Sequence, residues 1–298
     1  MTSYTTPSDS SLFTHLLADS WATKAQTPKP TAAGTMLRYS GAHGCGRRMG
    51  YDWFDAHYSD PPTAASIFQA GVGTLVGEAA ADAMIARYGG VAELPSKVNE
   101  WISGSADWFA LCTPLGSVVY EHKMKSSYAF NKALGYKRNF GRVSLVDPEG
   151  APSSAIAQAG MNALGIERSY DYGQVDAVVV GVVSTDIVSV TQNKSLMVND
   201  FARFGAEWNI PREIWESAAL SEISRLSEIA EAMDLGYLSD RVALDDDSKS
   251  IFLSPGSGQW QCDYCPYQKL CYKDGKGQLR VLDSKLTKRN TDTEKDTQ

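Results

Sequence analysis

The stretch that decides the fold runs from Asp107 to Lys123 and reads D-W-F-A-L-C-T-P-L-G-S-V-V-Y-E-H-K. Its centre, residues 113–116, holds the proline and glycine that are typical of a turn. A β-prone apolar run lies on each side of this turn. The pattern predicts two antiparallel strands joined by a short loop.

The polar residues of this hairpin suggest a site. Side chains alternate along a strand, so Glu121 and Lys123 point to one face and His122 to the other. The hairpin brings Asp107 beside them. Two carboxylates suit a hard divalent cation such as Mg²⁺ or Mn²⁺, which acidifies a water, and Lys123 could orient that water. The group suits metal-dependent phosphodiester hydrolysis, but taken alone it is more typical of a surface hairpin with an ordinary Glu–Lys pair, and a second signal elsewhere in the chain is needed to favour a site.

Composition limits the class of protein. The chain has 298 residues, 43% of them hydrophobic, enough for one large domain or two small ones. We find no apolar run of membrane-spanning length and no signal peptide, so we expect no membrane partner and a cytoplasmic location. The net charge of −7 argues against a protein coated in positive charge, but it allows local basic tracks.

Periodicity places further elements around the hairpin. Helical patterns cover residues 63–88, 152–164 and 211–233. In the last helix we expect the buried face to carry Leu220, Ile223, Leu226, Ile229, Ala230 and Met233. The apolar run at residues 175–183 is typical of a strand buried on both faces, and residues 186–191 are its expected antiparallel neighbour. The fold class we predict is therefore α/β.

A basic track follows the hairpin. Residues 122–146 contain no acid and six basic side chains: Lys123, Lys125, Lys132, Lys137, Arg138 and Arg142. Aromatic residues lie between them, and this combination suits a nucleic-acid strand through phosphate contacts and base stacking. A solvated helix face with its aromatics turned to the core is the alternative.

The cysteines suggest a metal centre. Cys262, Cys265 and Cys271 are closely spaced near the C-terminus, and Cys45 is the natural fourth ligand because it lies in a glycine-rich turn. Spacing leaves a zinc site and an iron–sulfur cluster equally open. Two arginines follow Cys45, and we expect these residues, Arg47 and Arg48, to hold DNA phosphates.

These motifs, in this order, resemble those of the RecB-like PD-(D/E)XK nucleases that carry an iron–sulfur cluster. The CRISPR-associated exonucleases of the Cas-four family and their phage-encoded relatives are the most similar. The resemblance spans roughly residues 37–275: one cysteine before the core, an Asp and E-x-K core, a glutamine helix, and three terminal cysteines spaced C-x2-C-x5-C.

The resemblance implies specific roles. Asp107 and Glu121 would bind Mg²⁺ or Mn²⁺ with the backbone carbonyl of His122, and Lys123 would position the attacking water. Gln158 matches the family glutamine and would support the site or contact the substrate. The four cysteines would hold a [4Fe–4S] cluster. The fold implied is a restriction-endonuclease-like core, with a mixed sheet flanked by helices and a helical layer stapled by the cluster.

Two positions depart from the family pattern. The usual motif histidine is replaced by Gly77, so we expect the adjacent Glu78 to act as the metal ligand instead. The tyrosine expected four residues after Gln158 is replaced by Asn162, which puts the DNA contact of that helix in doubt.

The sequence therefore predicts a partly ordered arm at residues 1–36, one nuclease domain at 37–285 and a polar tail at 286–298. Its expected activity is that of a metal-dependent exonuclease on single-stranded DNA or DNA ends, in the host cytoplasm if the protein is phage-encoded. The alternative is a catalytically weakened DNA-end-binding adaptor that works with a partner nuclease, a recombination complex or a CRISPR adaptation complex. A zinc-stapled protein that is not a nuclease is a third interpretation.

Overall fold

The computed structural model of the chain describes residues 36–139, 142–145, 149–184, 205–240, 260–263, 265–275 and 277–281. The arm predicted for residues 1–36 lies outside them except for its last residue. The strand predicted at 186–191 and the tail at 286–298 also lie outside.

The described residues form seven α-helices, one short 3-10 helix (Tyr39–Gly41) and ten strands. The helices are α1 (Gly46–Trp53), α2 (Ala64–Tyr88), α3 (Ser127–Ala133), α4 (Ser153–Ser169), α5 (Arg212–Asp234), α6 (Trp260–Asp263) and α7 (Gln268–Asp274). The strands are β1 (Leu37–Arg38), β2 (Val91–Lys97), β3 (Ile102–Thr113), β4 (Gly116–Lys125), β5 (Tyr136–Asn139), β6 (Arg142–Leu145), β7 (Ala177–Ser184), β8 (Gly205–Ile210), β9 (Tyr237–Leu238) and β10 (Leu279–Arg280). Contacts group the chain into two compact units, which we call the sheet unit (Thr35–Gly44 and Gly73–Leu235) and the thiol unit (the described parts of Cys45–Val72 and Gly236–Gln298).

The predicted hairpin is confirmed at the centre of the sheet unit. Strands β3 and β4 are antiparallel, and Thr113 pairs with Gly116 across the turn. The Thr113 hydroxyl donates to the Gly116 carbonyl at 2.8 Å and accepts from the Leu115 N–H at 3.0 Å. These local bonds fix the turn and so set the strand register.

A mixed six-stranded sheet surrounds this hairpin. Its order is β1-β3-β4-β7-β8, with β2 paired to the central strand β3. The strand predicted at residues 175–183 is confirmed as β7, which runs parallel to β4 and antiparallel to β8. Its side chains are almost all buried, as expected for a strand between two neighbours and two helical layers.

Helices flank the sheet on both faces, so the predicted α/β class with a mixed sheet is confirmed. On one face Ala81 of α2 packs against Trp108 and Tyr120. On the other face α4 lies against the central strands, and α5 packs against α4. A Cβ atom at Gly160 of α4 would lie 2.5 Å from the Trp215 carbonyl oxygen, so only glycine permits this close approach.

One detail of α5 differs from the sequence interpretation. Leu220 is 48% exposed, and Trp215 and Ala219 lie on the buried face in addition to the predicted residues. The predicted burial is confirmed for Leu226, Ile229, Ala230 and Met233. The small side chain of Ala219 lies next to Gly160, and neighbouring residues on a helix point about 100° apart. Close packing of the two helices therefore turns Leu220 outward. Within the described ranges, no helix combines the length and apolar character needed to cross a membrane.

Candidate active site and thiol pocket

Asp107 and Glu121 lie side by side on adjacent strands. Trp108 pairs with Tyr120 in the antiparallel register, which places the two carboxylates opposite each other on one face. The backbone N–H of His122 donates to Asp107 Oδ2 at 2.6 Å. The hairpin backbone therefore holds the first carboxylate beside the second, as the sequence predicted.

Lys123 joins the second carboxylate to helix α4. Its ammonium donates to Glu121 Oε1 at 2.5 Å and to Gln158 Oε1 at 2.8 Å. Glu121 has no exposed surface, whereas the Lys123 side chain is 27% exposed. The lysine is thus fixed on its protein side while its outer side remains open to solvent. The predicted residues Asp107, Glu121, Lys123 and Gln158 are brought together here, and we call this group the carboxylate cluster.

Asn162 also belongs to this group, a contact that sequence reasoning missed. Its side-chain amide donates to Glu121 Oε2 at 3.4 Å. The residue is completely buried, and its Oδ1 has no hydrogen-bond partner in the described part of the chain. The spacing of four residues from Gln158, one helical turn, was the available signal, because it places both side chains on one face of α4.

Burial makes the carboxylates poor acids. It raises the pKa of Glu121 to about 8, with the charge of Asp107 adding to the rise and that of Lys123 opposing it. Burial also raises the pKa of Asp107, against the His122 N–H bond and Lys123. One ammonium therefore does not compensate two buried carboxylates. A divalent cation between them would supply the missing positive charge.

The donor set fits a magnesium or manganese ion. Such ions take oxygen ligands, and commonly only one or two come from protein carboxylates while water and substrate phosphate fill the rest. Within the described ranges, no group of three or more His, Cys, Asp or Glu side chains is arranged to hold a metal ion. Asp107 and Glu121 are the two buried carboxylates of the carboxylate cluster, and the charge of the exposed Glu93 on β2 acts on both.

The structure does not bring Glu78 into the cluster. Glu78 is exposed on α2, while its neighbour Gly77 faces the sheet, where an added Cβ would lie 3.8 Å from the His122 ring. That ring is buried on the face of the sheet opposite Glu121, as strand alternation predicted, and its pKa is lowered by burial and by Lys123. Only the main chain of His122 borders the cluster, and a metal-binding role for Glu78 stays a prediction.

The predicted DNA-contacting residues have different environments. Lys125 is half-buried, with its pKa lowered by burial and by Lys123. Lys132 pairs with Glu149 at 2.5 Å, and both side chains are exposed. The structure describes the backbone of Lys137 and Arg138 in β5, but their side chains lie outside the description.

Arg48 is exposed, whereas Arg47 has no exposed surface at all. A phosphate contact by Arg47 would require this side chain to leave the interior. We therefore correct the assignment of Arg47 from a DNA-contacting residue to an interior residue of the thiol unit.

In the thiol unit, four cysteines line one pocket. Cys45 immediately precedes α1, Cys262 lies on α6, Cys265 follows it, and Cys271 lies buried on α7. The described part of the chain contains no disulfide bond between them. They share one cavity without adopting the geometry of a coordinated centre. We call this cavity the thiol pocket.

Two tyrosine–aspartate pairs hold the walls of the thiol pocket together. The Tyr51 hydroxyl of α1 donates to Asp274 at 2.8 Å, and the Tyr267 hydroxyl donates to Asp52 at 2.6 Å. The two rings pack with their centroids 5.1 Å apart. Segments from the two ends of the chain are therefore joined through protein contacts alone, and this brings Cys45 to the three terminal cysteines.

The thiols fit a thiolate-bound metal centre in number and type. Four cysteines are the usual ligands of structural zinc and of iron–sulfur clusters. Burial raises the pKa of Cys265, and so does the nearby Cys45, while Arg48 opposes the rise. A bound metal would stabilise the thiolate forms. A buried guanidinium nitrogen of Arg47 without a hydrogen-bond partner is a second feature that suits an anionic group in the thiol pocket.

Comparisons with known proteins add little to this geometry. No protein-family model matches the chain. No curated protein matches it either. A solved structure titled "Crystal structure of SSO0001" is similar over 87% of this chain and 96% of that chain, at 12% identity and a TM-score of 0.46. A likeness of this degree says nothing about function.

Proposed function

We propose that this chain is a metal-dependent DNA exonuclease with a PD-(D/E)XK core, acting on single-stranded DNA or DNA ends. The observation that carries the proposal is the placement of Lys123, which bonds Glu121 and Gln158 beside the opposed carboxylate of Asp107. An isolated surface Glu–Lys pair, the alternative interpretation of the hairpin, would not be buried or bonded to a third element.

Each residue has a distinct role in this proposal. Asp107 and Glu121 would hold Mg²⁺ or Mn²⁺, which supplies an acidified water and neutralises charge on the phosphate. Gln158 holds the Lys123 ammonium in place, and the exposed side of that ammonium orients the attacking water or the phosphate. Because the lysine is held from two sides, it reaches its position without a large cost in side-chain entropy.

Degradation of end-labelled DNA tests the proposal. Single- and double-stranded substrates are incubated with Mg²⁺, Mn²⁺ or EDTA. We expect Asp107→Ala, Glu121→Ala and Lys123→Ala to lower the rate about 100-fold or more while the circular dichroism spectrum stays unchanged. Lys97→Ala, which changes an exposed lysine of β2, is the matched control and should retain the wild-type rate. Full activity in Lys123→Ala would refute the assignment.

A second candidate function rests on helix α2. Gly77 stands where the motif histidine is expected, and Glu78 is exposed rather than turned toward the cluster. A site with only two carboxylates would support a DNA-end-binding adaptor that works with a partner nuclease, a recombination complex or a CRISPR adaptation complex. Binding of end-labelled DNA without degradation in Mn²⁺ would favour this function over the exonuclease.

For the thiol pocket we propose a [4Fe–4S] cluster, which favours membership of the RecB-like nucleases similar to the Cas-four family. Four thiols in one pocket support a metal centre, and the resemblance of the motifs favours iron over zinc. Because the ligands come from both ends of the chain, the centre would act as a long-loop crosslink. Purification without oxygen should give a brown protein that contains iron and sulfide. One zinc per chain and no iron would overturn the cluster.

A further inference from the structure

Arg47 is a buried cation that no carboxylate neutralises within the described residues. Its Nε donates to the Ser239 carbonyl at 2.6 Å, and its Nη2 donates to the Gly277 carbonyl. Its Nη1 is buried and has no hydrogen-bond partner in the described part of the chain. Carbonyl oxygens satisfy two donor groups, but they do not cancel the positive charge that arginine always carries.

Two carboxylates of the thiol unit are bonded to tyrosine hydroxyls and not to Arg47. Asp274 accepts from the Tyr51 hydroxyl, and Asp52 accepts from the Tyr267 hydroxyl. The Tyr51 hydroxyl also interacts with Arg47, but a neutral phenol does not cancel the charge of a guanidinium. None of the ion pairs seen among the described residues includes Arg47. An isolated buried charge is costly, so a fully buried arginine calls for a negative partner.

The thiol pocket is the place where that partner can sit. Arg47 lines it together with Cys45, Cys262, Cys265 and Cys271. Four thiolates around one zinc ion carry a net charge of about −2, and four thiolates around an oxidised [4Fe–4S] core carry the same charge. Both centres are anionic, so a cation with a free donor in the wall suits either one.

We infer that Arg47 is the internal counter-charge of an anionic metal–thiolate centre in the thiol pocket and that its Nη1 is the donor to that centre. This inference rests on the metal centre proposed above. It assigns Arg47 as a positioning and charge-balancing residue, not as a ligand and not as a DNA contact. Arg48, the next residue, also lines the thiol pocket but is exposed, so solvent screens its charge.

The charge has a consequence that can be measured. When a [4Fe–4S] core takes up one electron from dithionite, the centre gains one negative charge. A buried cation beside it favours the reduced form more than the oxidised form. Arg47→Gln should therefore lower the equilibrium constant for reduction about tenfold or more, and a tenfold loss equals about 59 mV for one electron. Arg48→Gln should change it less, and Arg47→Lys should keep most of the effect.

The experiment compares wild type, Arg47→Gln, Arg47→Lys and Arg48→Gln after anaerobic purification. Iron, zinc and sulfide are counted, and a dithionite titration is followed by visible absorbance and by electron paramagnetic resonance. The inference is overturned if Arg47→Gln, folded by circular dichroism, holds the same metal at the same potential as wild type. It is also overturned if Arg47→Lys and Arg47→Gln shift the potential equally, because the charge would then be irrelevant.

Unfolding measurements separate charge balance from a merely structural role. If Arg47 acts only through its hydrogen bonds to the Ser239 and Gly277 carbonyls, Arg47→Gln lowers the free energy of unfolding by the same amount with and without metal. If it balances the centre, the cost is larger in the metal-loaded protein, as a double-mutant cycle would show. Should Arg47→Gln fail to fold without metal, Arg47→Lys is measured in the same cycle. A chain that binds zinc and no iron refutes the proposed cluster but still tests Arg47 through the rate of zinc loss to a chelator.

Discussion

Replacing Glu121 by glutamine should change how the stability of the metal-free protein depends on pH. Burial raises the pKa of this carboxyl from an ordinary value of 4.5 to about 8, so between these two pH values the folded protein binds a proton that the unfolded chain has released. Stability conferred by this group is therefore complete below pH 4.5 and is lost as the pH rises toward 8. Glutamine is neutral throughout and removes this loss.

The size of the effect follows from the shift. At about 1.4 kcal/mol for each tenfold change in acidity, the rise in pKa corresponds to about 5 kcal/mol. Relaxation around the buried charge reduces that value. We therefore expect the free energy of unfolding of Glu121→Gln, relative to wild type, to increase by about 2–5 kcal/mol as the pH is raised across the window.

Urea unfolding in EDTA, followed by circular dichroism from about pH 5 to about pH 8, measures this difference. Glu228→Gln, which neutralises an exposed glutamate of α5, is the control and should show no such pH dependence. Mn²⁺ should then stabilise wild type at pH 8 more than it stabilises Glu121→Gln. A difference in the free energy of unfolding between Glu121→Gln and wild type that stays constant with pH would refute the argument that burial raises the pKa of Glu121.

Three other changes test contacts that the structure defines. Asn162→Leu removes the amide that bonds the buried Glu121 carboxylate. In a Mn²⁺ titration of DNA cleavage, this change should raise the concentration needed for half-maximal activity at least tenfold, and Asn162→Gln should restore part of the loss. Gly181→Ala would place a Cβ atom 1.8 Å from the Tyr120 hydroxyl and 2.5 Å from the ring carbon that carries it, so we expect a cost of about 1–3 kcal/mol in thermal unfolding. Tyr120→Leu removes the ring, so the two changes together should cost less than the sum of the single changes, and simple additivity would show that the clash lies elsewhere. Tyr267→Phe removes the hydrogen bond to Asp52, so the free energy of unfolding should fall by about 1 kcal/mol and metal should be lost to a chelator faster. An unchanged rate of metal loss would show that this pair does not stabilise the thiol pocket.

Local chemistry made the hairpin and the main helices predictable. The Thr113–Gly116 turn carries its own hydrogen bonds, so the order of residues determines the register of β3 and β4 directly. The long helix predicted at residues 63–88 is α2, and Thr63 caps its start, because the Ser66 N–H donates to the Thr63 hydroxyl at 3.2 Å. Features that depend on neighbouring residues in the chain were therefore readable from the sequence.

Features that depend on distant partners were not readable in this way. Arg47 lies two residues after Cys45, and from the local sequence it resembles a surface arginine. Its buried position depends on hydrogen bonds to the carbonyls of Ser239 and Gly277, which are far away in the chain. The position of Glu78 depends on helix phase, since one residue rotates a side chain by about 100° and here it is Gly77 that meets the sheet. Among the described residues the antiparallel partner of β7 is β8, which begins only at Gly205, and local sequence does not indicate a pairing over that distance.

The two candidate sites are both unbalanced in charge, and in opposite senses. The carboxylate cluster buries two acids against one lysine, so it lacks positive charge, and a divalent cation is the simplest group that restores the balance. The thiol pocket buries a guanidinium with no described acid to pair it, so it lacks negative charge, and a thiolate-bound metal centre restores the balance there. Because an uncompensated buried charge is costly, each imbalance persists in a folded protein most easily when a bound group of opposite sign repays it. Metal-free protein should therefore be less stable than metal-loaded protein at both sites. The two contributions are separable by mutation, since Asp107→Ala removes a carboxylate of the first site alone and Cys45→Ser removes a thiol of the second alone.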